Sequence, residues 1–356
     1  MRNADLGLSE MKSLLLTEYN HLEIVDQPVP ACGPNEVQVR VEACGICGSD
    51  VHGYDGSSGR RIPPIVMGHE AAGRVAAVGA EVRGLTEGDR VTFDSTVYCG
   101  SCEYCASGEM NLCDHRQVIG VSCADYRRAG AFAEYVVVPR HIVYRLPETI
   151  SFQEAAMLEA VSVALHAVRV SQTAPGKTAL VIGAGMIGLL ILQAARAAGC
   201  ARVIVADIDA SRLNLARQAG AQDLLHCSGD ELAGELLRLT NGRGVDAAFE
   251  AVGRNETVAA AIDCTRKGGT VTLVGNIQPE VTLPLQKVVT RELRLQGSCA
   301  SAGDYPEAID LVAKGKIRVM PLISAVAPLD EGPQWFQRLH AREPNLMKVI
   351  LTPRAI

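Results

Sequence analysis

Between positions 178 and 195 eighteen consecutive residues carry no charge, which is the shortest run that can cross a bilayer as a helix. Gly183, Gly185 and Gly188 interrupt it, and the β-favouring Leu180-Val181-Ile182 stands just before them. A buried strand, a tight turn and a helix start explain the run better than a membrane span. The turn reads Gly183-Ala184-Gly185-Met186-Ile187-Gly188. Glycines at that spacing let the backbone approach a ligand closely and aim the N–H groups and positive dipole end of a helix at it, which makes a seat for a pyrophosphate. A second apolar stretch ends in Asp207, nineteen residues beyond Gly188. A carboxylate there accepts from both hydroxyls of an adenosine ribose and repels a 2′-phosphate, so NAD is expected over NADP. Arg212 follows at a distance suited to flank the ribose or adenine, and the backbone at Val274-Gly275, closing a later strand, is expected to meet the nicotinamide end.

With 356 residues the chain predicts two domains. Past residue 178 strand-like and helix-like stretches alternate at 179–182, 187–198, 202–206 and 211–219, with further strands expected at 245–250 and 270–274. That alternation predicts βαβ units and a parallel, doubly wound sheet. The preceding part is patterned differently. Residues 11–42 alternate apolar and polar side chains, and β signals recur at 71–79 and 132–138; the first 150 or so residues therefore predict a small antiparallel barrel. Ser151 ahead of Phe152-Gln153-Glu154 reads as the N-cap of a helix running towards Ser171. The last 55 or so residues, with mixed shorter elements, are expected to rejoin the first domain. The boundaries read from the sequence are 1–163 with 299–356 for the first domain, carrying a cysteine-rich lobe near 95–115, and 164–298 for the second.

Composition excludes several classes of function. Lys plus Arg number 34 against 40 Asp plus Glu, a net charge of −6, so phosphate backbones and anionic membranes find no general attraction. Residues 1–10 lack the apolar core of an export signal, and a cytoplasmic protein is expected. Twelve cysteines in such a chain argue for reduced thiols and metal ligands rather than disulfides. Cys99, Cys102, Cys105 and Cys113 fall within fifteen residues, and four thiolates so close can shut a tetrahedron around zinc with no open position, a structural site. A catalytic zinc needs mixed donors and an exchangeable position. Cys47 and His69 with a carboxylate meet that requirement.

Four motifs now stand in order: Gly-Ile-Cys-Gly-Ser-Asp-Val-His at 45–52, Gly-His-Glu at 68–70, the four-cysteine lobe, and Val-Ile-Gly-Ala-Gly-Met-Ile-Gly at 181–188. In this order and spacing they resemble the zinc-containing medium-chain alcohol and polyol dehydrogenases, most of all the sorbitol (L-iditol) dehydrogenase-like members, over nearly the whole chain after residue 11. The resemblance implies an α/β protein in which a GroES-like β-barrel catalytic domain, built from both chain ends, joins a Rossmann domain. It implies Cys47 and His69 as catalytic zinc ligands, with Glu70 and Glu159 as the acids that bind the metal or stand behind it. It makes Ser49 and His52 the proton relay, and the reaction a zinc-dependent hydride transfer between a secondary alcohol and NAD. Cys44 and His166 are expected to be packing residues. Related enzymes are dimers or tetramers, so a homo-oligomer is expected. This chain departs from the polyol pattern at Ala160, where Pro is usual, and at Gly297-Ser298-Cys299-Ala300-Ser301, where a polyol-orienting Arg is absent. Other polyols, sugar acids, sugar phosphates such as galactitol 1-phosphate, diols and threonine-like substrates stay open, as does a non-catalytic NAD-binding sensor on the same scaffold. Arg60 and Arg61 are read as a solvated basic pair, with a substrate phosphate or carboxylate as the alternative partner.

Overall fold

The computed structural model describes residues 10–353, apart from the side chain of residue 230. Within it the chain forms two compact units, one comprising residues up to Glu159 together with those from Ile323 onward, the other Ala160–Leu322.

The first unit is organised around the strand Glu36–Gly45, whose Val37, Val39 and Val41 point inward at alternate positions until both faces become buried at Ala43-Cys44-Gly45. Glu70–Val78 pairs antiparallel along one side of it, ending with Gly45 opposite Glu70. Tyr135–Pro139 pairs with its beginning. Its end takes Lys348–Thr352, with Ile350 opposite Gly45, and Ile323–Pro328 extends the sheet in parallel beyond that. A second sheet, formed by Glu10–Glu18, His21–Pro28 and Ile65–Val66, shares an apolar core with the first: Leu14, Leu16, Val39, Phe93, Phe132 and Leu351 are all essentially inaccessible. The register at Gly45 has the larger consequence for function, because it brings residues from positions 45, 70 and 350 into one row.

The second unit holds a six-stranded, all-parallel sheet in the spatial order Asp223–Leu225, Arg202–Ala206, Thr178–Ile182, Val245–Glu250, Thr265–Leu273, Arg294–Gly297. The first strand in sequence thus lies third in space, and the chain reverses direction of progress between Thr178–Ile182 and Val245–Glu250. Ligands of doubly wound sheets bind at the carboxyl ends of strands at such a reversal. Met186–Ala197, Ala210–Gln218, Gly229–Leu239, Asn255–Cys264 and Leu285–Thr290 are the helices between successive strands.

In the backbone, two sequence expectations differ from the structure. Ser151 caps a helix as read, its hydroxyl accepting from the Glu154 amide in a capping box, but the helix stops at Ala155 and a second begins at Leu158. The Met157 amide donates to Glu154 O, three residues back, so a tightened turn redirects the chain immediately before Glu159. The second difference concerns the chain's return to the first unit, which comes at Ile323 rather than 299. The helix Tyr305–Ala313 stays with the second unit because Arg169 holds buried Asp304 at 2.9 Å, and because the buried Gln193 amide accepts from Arg318 N and donates to Arg318 O. No helix among the described residues is long and apolar enough to cross a membrane. The expectation about an export signal concerns residues 1–10, of which 1–9 lie outside the described residues.

Candidate active site and cofactor sites

Cys47 precedes the helix Gly48–Tyr54 and is its N-cap, with its amide donating to Asp50 Oδ2 at 3.2 Å. His69 and Glu70 stand at the start of the strand opposite Gly45. Pairing therefore delivers a thiol, an imidazole and a carboxylate to one place, and their donor atoms lie within 4.8 Å of one another. A Cβ on Gly45 would overlap Glu70 Oε2, so glycine there admits that carboxylate without displacing it. The donor set of one sulfur, one nitrogen and one oxygen, half-buried at Cys47 and buried at the other two, fits zinc with an open position. Glu159 lies outside this cluster; its carboxylate accepts from Ser95 Oγ at 3.3 Å. Burial raises the pKa of Glu159 and the charge of Glu70 adds to it, while His69 and Lys348 work the other way.

Around these groups stands a charged frame that the motifs did not announce. Lys348 donates to Glu70 Oε2 at 2.5 Å and to Ile46 O at 3.1 Å, in a pair almost wholly removed from solvent. Burial alone would lower the Lys348 pKa, but the charges of Glu70 and Cys47 hold it above the ordinary lysine value. Asp50 is fully buried. Its Oδ1 lies at an ion-pair distance of 3.3 Å from His69 Nδ1 and accepts from Arg61 Nη2 at 3.2 Å, which sets a carboxylate behind the imidazole as is common for metal-ligating histidines. Burial works against the carboxylate, yet His69 and Arg61 bring its pKa down to about 2. The same contact, with Cys47 as a further neighbour, outweighs burial at His69 and holds the imidazole well above the usual histidine range. Arg61 is not on a solvated loop as read from the sequence. It is buried and engaged by Asp50, whereas Arg60 is exposed. Lys348 sits in an unremarkable terminal segment, and only the strand register reveals it. Asp50 lies inside the Cys-Gly-Ser-Asp motif, where residue type alone does not show that it faces His69. Ser49 and His52, one helical turn apart on Gly48–Tyr54, are both exposed, and His52 Nδ1 lies 3.3 Å from Ser57 Oγ.

The four remaining thiols of interest are gathered in a lobe whose ends are pinned by Thr96–Val97 pairing with Gln117–Val118. Cys99, Cys102, Cys105 and Cys113 present sulfur atoms within 4.8 Å of one another. Amide groups point at the sulfurs: Ser101 N and Cys102 N reach Cys99 Sγ, and Cys99 N and His115 N reach Cys113 Sγ. The Ser101 and Cys102 amides pull the Cys99 pKa down to about 5. Burial and the neighbouring sulfurs push Cys105 up to about 12. A cation is what relieves such crowding of thiolates, and the all-sulfur set fits a closed zinc site.

In the second unit the glycine loop joins Thr178–Ile182 to the helix Met186–Ala197, with Gly185 as N-cap. Gly183 has φ +97°, where residues with a Cβ are strained. A Cβ on Gly188 would overlap Gly183 O, so the third glycine is what lets helix and strand pack. Met186, Ile187 and Gly188 occupy the first turn, where amides have no partner within a helix. Asp207 Oδ2 accepts from Ala184 N at 2.6 Å and Oδ1 from Asp209 N at 2.8 Å, which places the carboxylate against the glycine loop. Arg212 lies 3.7 Å from Asp209. Val274 and Gly275 donate their amides to Glu250 O at 2.9 Å. The buried Glu250 carboxylate caps Val252 N and Gly253 N, a brace for the strand ends that sequence patterning gave no sign of.

Residues 33–148 match the family model of the alcohol dehydrogenase GroES-like domain, and residues 187–314 that of the zinc-binding dehydrogenase. L-Idonate 5-dehydrogenase of Vitis vinifera is 37% identical over 310 residues, covering 85% of this chain and 84% of that protein. The chain belongs to the zinc-binding medium-chain dehydrogenases. Sorbitol dehydrogenase of Bacillus subtilis (strain 168) is 33% identical over 347 residues, 96% of this chain and 97% of its own. Among solved structures, one described as a short chain alcohol dehydrogenase from Escherichia coli CFT073, complexed with NADH, superposes with a TM-score of 0.90 at 32% identity, over 97% of this chain and all of that one. The resemblance read from the motifs is borne out, as are the α/β class with a GroES-like and a Rossmann-type domain and the requirement for zinc and a nicotinamide cofactor. This family member is an oxidoreductase.

Proposed function

We propose that the protein oxidises a secondary alcohol of a polyol or sugar acid with NAD, and reduces the corresponding ketone in reverse. The observation that carries this reading is the convergence of Cys47, His69 and Glu70 donor atoms within 4.8 Å in a chain that also carries an acid-terminated second strand in its nucleotide unit. Cys47, His69 and Glu70 would hold the catalytic zinc, with Glu159 beside them as an outer acid, and Cys99, Cys102, Cys105 and Cys113 the structural one. Zinc at the first site supplies Lewis acidity that lowers the pKa of a bound hydroxyl towards neutrality. The protein's own groups do the rest. Asp50 orients His69, Lys348 neutralises Glu70, and Ser49 accepts the alcohol proton and passes it along the helix face towards His52. Gly183, Gly185 and Gly188 with the amides of Met186 and Ile187 seat the pyrophosphate, Asp207 the ribose with Arg212 near it, and Val274 and Gly275 the nicotinamide end. Asp207, with both oxygens at backbone amides, favours NAD because it would repel a 2′-phosphate.

Polyols and sugar acids are favoured because the two curated relatives named above act, by their names, on sorbitol and L-idonate. The engagement of Arg61 by Asp50 removes one of the two cations that a sugar phosphate would need. A homo-oligomer is supported by the sheet's last strand, Arg294–Gly297, an edge in this unit, and by exposed Leu285 and Val289 on the helix before it; unpaired strand edges invite a second copy. Twelve cysteines, none of them in a disulfide, fit a reducing compartment such as the cytoplasm. The test is NADH formation on a panel of polyols, sugar acids, phosphorylated sugars and diols, with zinc counted per chain. Two zinc ions and chelator-sensitive turnover of a polyol or sugar acid are expected. Zinc and NAD binding without turnover of any alcohol would favour a sensor instead.

A further inference from the structure

We propose that Arg61 is a positioning residue for proton transfer at Ser49. The inference rests on the reading of Cys47, His69 and Ser49 given above. The Arg61 side chain is 4% exposed. One nitrogen, Nη2, donates both to Asp50 Oδ1 and to Ser49 Oγ, each at 3.2 Å, and Nη1 donates to the carbonyl of Arg60 at 3.3 Å.

The place is built for this side chain. Gly53 lies on the helix Gly48–Tyr54, and a Cβ there would overlap Arg61 Cγ, so glycine alone lets the arginine stem lie across the helix. The backbone at Arg61 bridges to Ser122, whose hydroxyl accepts from Ile62 N at 2.7 Å and donates to Ile62 O at 3.0 Å. Backbone and stem are both held, which leaves the guanidinium little freedom. Arginine keeps its charge in any surroundings, and burying it requires a carboxylate partner. Asp50 meets that need. The bond to Ser49 is additional, and it is directed at the one hydroxyl that the reaction uses.

A serine hydroxyl has one proton to donate and two lone pairs. With one lone pair taken by Arg61, a single lone pair and the O–H remain, one for each neighbour in a relay. During alcohol oxidation the substrate's hydroxyl proton moves to that lone pair while the original Ser49 proton leaves on the other side towards His52. Ser49 ends as it began, and the electron pair of the substrate C–H bond departs with hydride to the nicotinamide ring. A fixed positive charge beside Oγ favours the order in which the outgoing proton leads, because partial negative charge on the oxygen is then stabilised.

A double-mutant cycle tests this with the zinc-loaded enzyme. Arg61→Met is expected to lower kcat about 10- to 100-fold, a part of the roughly 10²- to 10⁴-fold that positioned proton transfer contributes in full, with KM for the alcohol changed less than about threefold and zinc content kept. In a Ser49→Ala background the same change should cost under about threefold. Arg61→Lys, which keeps the charge without the fork, should recover part of the loss and can replace the Met variant in the cycle should that one not fold. A second readout needs no turnover: in zinc-free protein the Arg61 side-chain N–H signals, by nitrogen-edited NMR, should resist exchange and shift on Ser49→Ala. Losses that multiply, zinc content that falls with kcat, or NMR signals indifferent to Ser49 would overturn the assignment. Absence of zinc-dependent alcohol turnover in the unaltered enzyme would instead defeat the functional reading beneath it.

Discussion

At the scale of single residues, the metal cluster depends on charges that are buried in pairs. Glu70 and Lys348 leave water together, and each is tolerable only because of the other. Lys348→Met leaves a carboxylate without its cation, and the cost of breaking such a pair is about 3–5 kcal/mol; urea unfolding of the variant should show a loss of that size, with zinc retention reduced as well. Asp50 carries a pH dependence of known sign. Its pKa of about 2 in the folded protein is below the roughly 3.9 of an unfolded Asp. The stabilisation, about 2–3 kcal/mol, is therefore complete above pH of about 4 and lost as pH falls towards 2. Asp50→Asn should be less stable at neutral pH, and the gap between it and the unaltered protein should narrow on acidification. A gap that stayed constant with pH would mean that the carboxylate's charge is not what matters. These residues also mark the limit of reading by motif. Cys47, His69 and Glu70 lie inside short signatures whose chemistry is local. Lys348 and Arg61 owe their roles to strand register and to a missing side chain at Gly53, neither of which has a local signature.

Elements were more legible. A strand, a glycine turn and an apolar helix follow one another within 178–197 in the sequence and in the structure, because 3.6-residue periodicity and Gly spacing are properties of neighbouring residues. The split helix after Ser151 was not legible: nothing in the local pattern opposes continuation, and a single amide choosing Glu154 O closes the turn. Within the glycine loop the three positions do different work, and substitution separates them. Gly188→Ala should lower the melting temperature and abolish NADH binding together, since a Cβ there would overlap backbone. Gly185 has open space around it and an ordinary φ of −73°. Gly185→Ala should therefore keep its melting temperature within a few degrees, yet weaken NADH by about tenfold or more in a fluorescence titration, if close approach of a pyrophosphate is why glycine is there. Unchanged affinity would remove the loop from the cofactor's path.

For the whole molecule, the alternation of strands and helices revealed the doubly wound sheet but not the position at which the chain leaves it. That position depends on Asp304 and Gln193, two buried polar groups whose partners are far away in sequence. The edge strand Arg294–Gly297 and the apolar residues before it carry the expectation of self-association. Leu285→Glu combined with Val289→Glu should yield a smaller species in sedimentation velocity, with the melting temperature of the dilute protein falling because a partner no longer adds to stability by mass action. A species unchanged in size would place the contact elsewhere.

The central strand Glu36–Gly45 takes as its neighbour a segment three hundred residues later, while the six parallel strands all come from one continuous stretch. As the polypeptide emerges from the ribosome, nucleotide-binding architecture can therefore be finished before its companion has received the strands that complete it. During that interval the end of Glu36–Gly45 has an open flank where Lys348–Thr352 belongs, and Glu70 waits without its lysine. Newly made enzyme should thus acquire affinity for dinucleotide before it can retain its reactive cation, and a nascent chain arrested short of residue 323 is the species most exposed to chaperones and proteases.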